Sequence, residues 1–265
     1  MAKAGMIRAG IGGWTFEPWR GTFYPKGLPH AKELEFAASK LSSIEINGTY
    51  YRLQKPESFA AWAKAAPESF VFTVKASRVC TNRRVLAEAG EAVTKFVGQG
   101  LTELGDKLGP ILWQFMPTKA FDPDDFGAFL KLLPEKQDGV RLRHAVEVRH
   151  ESFRDAGFIH LVRKAGVATV FADTPKYPQI ADITGDFVYA RLQDAREEEP
   201  TGYSPEELDG WAKLAGQWAA GDSPPDLEYA AAEPAEKRNR DVFIFMINGT
   251  KVRAPAAAME LLQRL

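Results

Sequence analysis

Two kinds of hydrophobic pattern alternate along the chain. Short apolar runs, several alternating with polar residues, predict strands; stretches in which apolar residues return every three or four positions predict amphipathic helices. Eight runs of the first kind follow one another. Met6–Gly12 is the first. Ser43–Asn47, SIEIN, turns Ile44 and Ile46 to one face and Ser43, Glu45 and Asn47 to the other, because strand side chains alternate with period two. Phe70–Lys75 sets Phe70, Phe72 and Val74 against Thr73 and Lys75. Ile111–Phe115 brings Gln114, and Ala145–Arg149 sets Val146 and Val148 against Ala145, Glu147 and Arg149. Ala168–Asp173 and Phe187–Leu192 follow, the latter with Tyr189 and Arg191 on one face. Val242–Ile247 is apolar throughout, as a strand buried on both faces should be.

Helical spacing fills the intervals. It is found over Ala31–Leu41, Ser58–Ala66, Ala92–Leu104, the stretch opened by Asp122-Pro123, Phe158–Ala165 closed by Gly166, and the stretch opened by Ser204-Pro205-Glu206-Glu207. The acid before Pro123 is a capping residue, and Ser204 with Glu207 makes a capping box. A last helix follows Asn248-Gly249, whereas Tyr177–Gly185 is weakly patterned and predicts no helix. Alternation of strand and helix argues for a parallel sheet, and eight units argue for closure. The fold class expected is α/β, a single (β/α)8 TIM-type barrel over residues 1–265. One insertion, Asp222–Arg240, is rich in Pro, Ala and charge; because it leads into a strand, it is expected as a solvated loop on the N-terminal face.

Composition narrows the function. Thirty-four Lys and Arg balance thirty-five Asp and Glu for a net charge of −1. No nucleic-acid partner is expected from that balance, and no apolar run is long enough to span a bilayer. A single cysteine, Cys80, leaves no internal disulfide and fits a reducing cytosol, so a cytoplasmic location is expected.

The polar residues at the strand ends carry the chemistry. Sites in barrels form at the C-terminal ends of the strands. Collected there are Glu45, Asn47, Lys75, Gln114, Glu147, Arg149, Asp173, Arg191 and Asn248, from seven strands. An isolated ion pair can be mere filling, but a ring of them has no structural necessity, because apolar replacements are often as stable. Arg149 and Arg191 suit a carboxylate or phosphate, held by forked hydrogen bonds. Trp14, Tyr24, Tyr50 and Tyr51 offer flat faces for a ligand. Glu147 or Glu45, with Asp173 and Lys75, are the candidate acids and bases. Glu45, Glu147 and Asp173 could alternatively hold Mg²⁺ or Mn²⁺, although three cations on the same rim offset them; no cofactor is the primary expectation.

Several segments resemble one family. GGWTFEPWRGTFYP, IEINGTYY, FVFTVKASR, LGPILWQF, AVEVRHESF, ADTP, FVYARLQ and VFIFMING together are similar to the YecE-like proteins, a domain of unknown function. The resemblance implies a TIM-type barrel and a loose kinship to sugar isomerases. The chain departs from the family pattern at Asn82 and Gln193, where relatives usually carry His, and at Ile247-Asn248, usually Asn-Asn. Asn and Gln hydrogen-bond but do not titrate near neutrality.

The function expected is therefore an enzyme acting on a small polar or anionic substrate, a sugar, sugar phosphate or related acid, by proton transfer of isomerase or lyase type. Glu147 would be the base, Lys75 the acid, and Arg149 and Arg191 the anion grip, with Asn47, Gln114, Asn248, Trp14 and Tyr51 completing the pocket. A non-catalytic ligand-binding protein and a metal-dependent nuclease or hydrolase are the alternatives. Oligomeric state is not indicated.

Overall fold

The computed structural model of the protein describes residues 5–247 and 249–265. Eight parallel strands close into a barrel: β1 (Ile7–Gly12), β2 (Ser43–Ile46), β3 (Val71–Lys75), β4 (Leu108–Gln114), β5 (His144–Glu147), β6 (Ala168–Asp173), β7 (Phe187–Leu192) and β8 (Asp241–Met246). Neighbours in sequence are neighbours in space, and β1 pairs with β8 to complete the ring. The strands lie within a few residues of their predicted places. The fifth starts one residue earlier and ends at Glu147, so Arg149 stands on the loop just beyond it.

Among the described residues, seven helices of at least eight residues pack outside: α1 (Glu33–Lys40), α2 (Pro56–Ala65), α3 (Gly90–Val97), α4 (Pro123–Leu132), α5 (Ala156–Lys164), α6 (Pro205–Ala219) and α7 (Ala254–Arg264). Asp122 caps α4 through the amides of Asp124 and Asp125, and the Ser204–Glu207 capping box opens α6 as its spacing requires. The helix expected over 92–104 is shorter. It stops at Val97, because Gly100 adopts a left-handed φ of 103° and a side chain there would strike Pro56.

The outward residues of the strands, among them Ile44, Ile46, Phe72, Val74, Trp113, Val146, Phe171 and Ile244, form the main core with the helices. The inward residues form a second core inside the barrel, from Val71, Leu112, Ala145, Val170, Phe187, Tyr189, Phe243 and Phe245. Each large side chain so buried contributes about 1.5–3 kcal/mol.

The sixth unit has no helix. Residues 174–186 return along the barrel as turn and irregular chain, with the Thr184 hydroxyl accepting from Thr169 N at 2.8 Å and donating to Val167 O at 2.7 Å. The insertion 222–240 covers this gap. The Asp182 carboxylate, 3% exposed, accepts from the amides of Ala230 (2.7 Å) and Ala231 (3.1 Å). Glu228 pairs with Arg154, beyond the C-terminal end of β5, and Arg240 donates to Gly185 O, before β7. Much of the insertion is exposed, as a solvated loop should be; it is anchored to the outer wall at these points and re-enters the barrel beside Gly185, at the N-terminal end of β7. Among the described residues no helix is long and apolar enough to cross a membrane.

Candidate functional site

The inward alternation on five strands delivers charged and polar side chains to the C-terminal mouth. Arg191 of β7 is at the centre, 1% exposed. Its Nε and Nη2 donate to the two oxygens of Glu45 from β2, at 3.1 and 3.0 Å, and its Nη1 donates to Glu147 Oε2 from β5. Glu147 Oε1 accepts from Arg149 Nε at 2.8 Å and forms an ion pair with Arg149 Nη2 at 2.8 Å, and Oε2 also accepts from Gln114 Nε2 of β4 at 2.9 Å. Tyr189 OH donates to Glu45 Oε2 at 2.7 Å. Since that proton is committed, the Thr73 hydroxyl 2.9 Å away must donate to the phenol oxygen. Both carboxylates are fully buried, yet every oxygen is engaged, as buried charge requires.

Electrostatics follow from this packing. Burial would raise the Glu147 carboxyl, but Arg191, Arg149 and Lys75 outweigh it and hold it down at about 2. Burial opposes the charge of Arg191, yet Glu147 and Glu45 keep it above the ordinary guanidinium range. Lys75 is moved the other way. Burial and the neighbouring Arg191 lower its ammonium to about 8, despite the pull of Glu45 and Glu147.

Above the network lies a cavity of about 420 Å³, with Lys75, Arg149, Arg191, Lys251, Asn47 and Gln114 among its walls. Lys75 Nζ stands 4.3 Å from the centre of the Tyr50 ring, and Tyr51, 71% exposed, flanks the opening. Arg149 Cζ stands over the ring of Tyr177 from the 174–186 segment, 4.4 Å from its centre. Gly12 belongs here for a steric reason: a Cβ would come within 2.7 Å of Asn47 Nδ2. A larger depression of about 590 Å³ between α4 and α5 lies on the outer wall, away from the charge network at the barrel mouth.

The structure therefore brings together Glu45, Asn47, Lys75, Gln114, Glu147, Arg149, Arg191 and Tyr51. Asp173 is not among them. It points out of the barrel on the opposite face of β6 from Ala168 and Val170, and burial with Asp194 and Glu207 raises its carboxyl to about 6. The three carboxylates considered for Mg²⁺ or Mn²⁺ consequently do not converge. Among the described residues no group of three His, Cys, Asp or Glu side chains is placed to hold a metal ion.

Trp14 is likewise packing. Its ring meets Trp62 edge-on at 5.2 Å, and its carbonyl accepts from Tyr24 OH. Asn248 lies outside the described residues. Asn82, exposed, and Gln193, whose backbone amide donates to Asp173 O at 3.0 Å, are not among the cavity walls.

Three contributors carried no clear sequence signal. Tyr177 sits in the weakly patterned segment. Tyr189 was legible as an inward residue beside Arg191 but not as a ligand of Glu45. Lys251 follows the last strand, held over the rings of Phe16 (4.7 Å) and Trp19 (5.3 Å), while Trp19 Nε1 donates to its carbonyl at 3.0 Å. The aromatic loop after β1 thus supports a cation at the mouth.

Comparison with known proteins agrees with this architecture. Residues 8–265 match the family described as "Protein of unknown function DUF72". The UPF0759 protein YecE of Escherichia coli is 28% identical over 151 residues, 56% of this chain; the match spans about half the length of that relative, 50%. A DUF72 family protein of Thermotoga maritima superposes with a TM-score of 0.71 at 22% identity, over 98% of this chain and 97% of that one. A xylose isomerase-like TIM barrel/4-hydroxyphenylpyruvate dioxygenase fusion protein gives a TM-score of 0.52 at 14% identity, over 95% of this chain and 41% of that one; this is a likeness of fold. With its family model matched from the first strand to the last helix, the chain belongs to the DUF72 family of TIM barrels.

Proposed function

We propose that the protein is an enzyme acting on a small anionic substrate, a sugar phosphate or related acid, by proton transfer of isomerase or lyase type. One observation carries the reading: the cavity sets four cationic side chains, Lys75, Arg149, Arg191 and Lys251, against two carboxylates, Glu45 and Glu147, whose oxygens are all taken. The surplus positive charge favours an anion. Arg149 and Lys251 are the grip, because Arg149 keeps N–H groups beyond those spent on Glu147.

The base expected from sequence, Glu147, fits poorly. A carboxylate held at about 2 between two guanidinium groups has little proton affinity near neutrality. Its role is to position Arg149 and Arg191. Lys75, brought to about 8 and facing the cavity, is the group matched to proton transfer at physiological pH. The saturated carboxylates also favour a second reading, a protein that binds the anion without turning it over.

Thermal shift with inorganic phosphate, sugar phosphates and neutral sugars tests the charge argument. Phosphorylated compounds should stabilise, neutral sugars should not, and Arg149→Ala should weaken binding by roughly 10- to 100-fold, the worth of charge-assisted hydrogen bonds. Equal stabilisation by neutral sugars would overturn the reading. NMR in D₂O then separates the two forms: carbon-bound hydrogen of a bound compound exchanges in an enzyme and persists in a binding protein.

A further inference from the structure

Lys75 differs from the other cations around it. Arg191 and Arg149 are pinned to carboxylates, whereas among the described residues Lys75 has no ion pair. Its backbone is fixed at the end of β3, where its carbonyl accepts from the Thr49 hydroxyl at 2.7 Å. Its amine stands on the Tyr50 ring and faces the cavity. A lysine that is close to like charges, without an ion pair of its own and open to a ligand is the arrangement that activates an amine as a nucleophile.

We propose that Lys75 forms an imine with the carbonyl carbon of an anionic substrate, an oxo acid or a keto or aldehyde phosphate whose acid group rests on Arg149 and Lys251. This rests on the anion-binding reading above and deepens it by naming a substrate class and a covalent step. The neutral Nζ adds its lone pair to the carbonyl carbon, and the C=O electron pair moves to oxygen. That oxygen takes a proton from the nitrogen to give a carbinolamine. The nitrogen lone pair then forms C=N as hydroxide leaves, and hydroxide and the remaining N–H proton depart as one water. No oxidant or reductant is consumed. Once protonated, the imine draws electrons from the adjacent carbon and makes its hydrogen acidic, which is how an amine promotes proton transfer beyond simple acid–base exchange.

Two features favour the step. With its ammonium lowered to about 8, the neutral amine is roughly two orders of magnitude more abundant at neutral pH than for an ordinary lysine. The iminium carries the same charge as the ammonium it replaces, so the Tyr50 face that supports Lys75 continues to do so.

The test is reductive trapping. The full-length protein is incubated with dihydroxyacetone phosphate, pyruvate or glyoxylate, reduced with borohydride, and mapped by peptide mass spectrometry. One adduct on Lys75, suppressed by inorganic phosphate and lost in Lys75→Arg while the same compounds still stabilise that variant, is the expected result. Stabilisation without any adduct, or adducts spread evenly over surface lysines, would overturn the imine and leave the anion site standing. Failure of every anion to stabilise the protein would remove both. Should Lys75→Arg not fold, phosphate competition on the wild-type protein decides the point without a variant.

Discussion

The two ends of the barrel interior are filled in opposite ways by the same strands. Toward the N-terminal end the inward positions hold Val71, Ala145, Ala168, Phe187 and Phe243, with the guanidinium groups of Arg8 and Arg143 over the Phe243 ring at 5.6 and 5.3 Å. Toward the C-terminal end the next inward positions hold Glu45, Glu147 and Arg191. Tyr189 marks the boundary, its ring 5.2 Å from Phe245 and its hydroxyl on Glu45. The lower half is filled mainly by packed apolar rings and aliphatic side chains, with its charges, Arg8 and Arg143, paired to Asp241 at the barrel floor. The upper half spends stability to hold charges in fixed positions, which is what an organised polar site requires.

The largest effect should come from removing the centre of the charged half. Arg191→Met leaves Glu45 without its two guanidinium contacts and Glu147 without one, all inside the barrel. Stripping a buried ion of its partner costs about 3–5 kcal/mol, and the upper part of that range is expected here, since one residue serves two acids. Urea unfolding measures it. The double variant Arg191→Met, Glu45→Met should recover part of the loss, because the orphaned acid goes with its partner. A loss under about 1 kcal/mol would mean that the upper half is hydrated, not packed.

Much of this contrast was legible beforehand. Period-two alternation assigned Glu45, Lys75, Glu147 and Arg191 to the inner face correctly, because each faces an apolar residue across the strand. Asp173 failed for the same reason that those succeeded. In ATVFAD, both faces carry apolar residues, and the larger one, Phe171, faces outward against Trp218 at 5.3 Å, so the alternation does not declare which side is the lumen. Trp14 was misread because an exposed-loop aromatic and a loop-packing aromatic share one sequence pattern. Lys251 reaches the cavity, and Tyr177 reaches Arg149 on its wall, from segments without periodicity, where only tertiary placement reveals them. The docking of 222–240 was hidden because its anchor, Asp182 on backbone amides, pairs residues some fifty positions apart.

A truncation in the lower half should separate stability from function. Phe243 is fully buried between Phe187 at 6.0 Å and Tyr189 at 6.4 Å. Phe243→Ala removes a ring that the surrounding strands cannot collapse around, at a cost of about 3–4 kcal/mol. The same urea titration reads that loss, and the affinity for phosphate, taken well below the unfolding transition, should be unchanged. Weaker anion binding would show that the two halves are mechanically coupled and that the comparison is drawn too sharply.

The smallest effect has the opposite sign. Lys75 is a cation in a place that disfavours it, so its ammonium is easier to deprotonate in the folded chain, at about 8, than in the unfolded one, near its ordinary 10.5. Between those values the unfolded chain binds more protons, and stability rises with pH. Below about 8 the full penalty is present; above 10.5 it is gone. Lys75→Met removes the charge and keeps most of the volume. The shift alone corresponds to about 3 kcal/mol, which partial access of the amine to solvent and the lost contact with Tyr50 reduce to about 1–2 kcal/mol of stabilisation at neutral pH. Denaturation at a series of pH values should show the variant ahead of wild type near neutrality and the gap closing through pH 8–10.5, while imine trapping and proton exchange are lost. A gain in stability at the expense of function is the signature of a residue kept for chemistry. A variant less stable than wild type at pH 7 would instead make Lys75 a structural member of the network, and the charged half a strut.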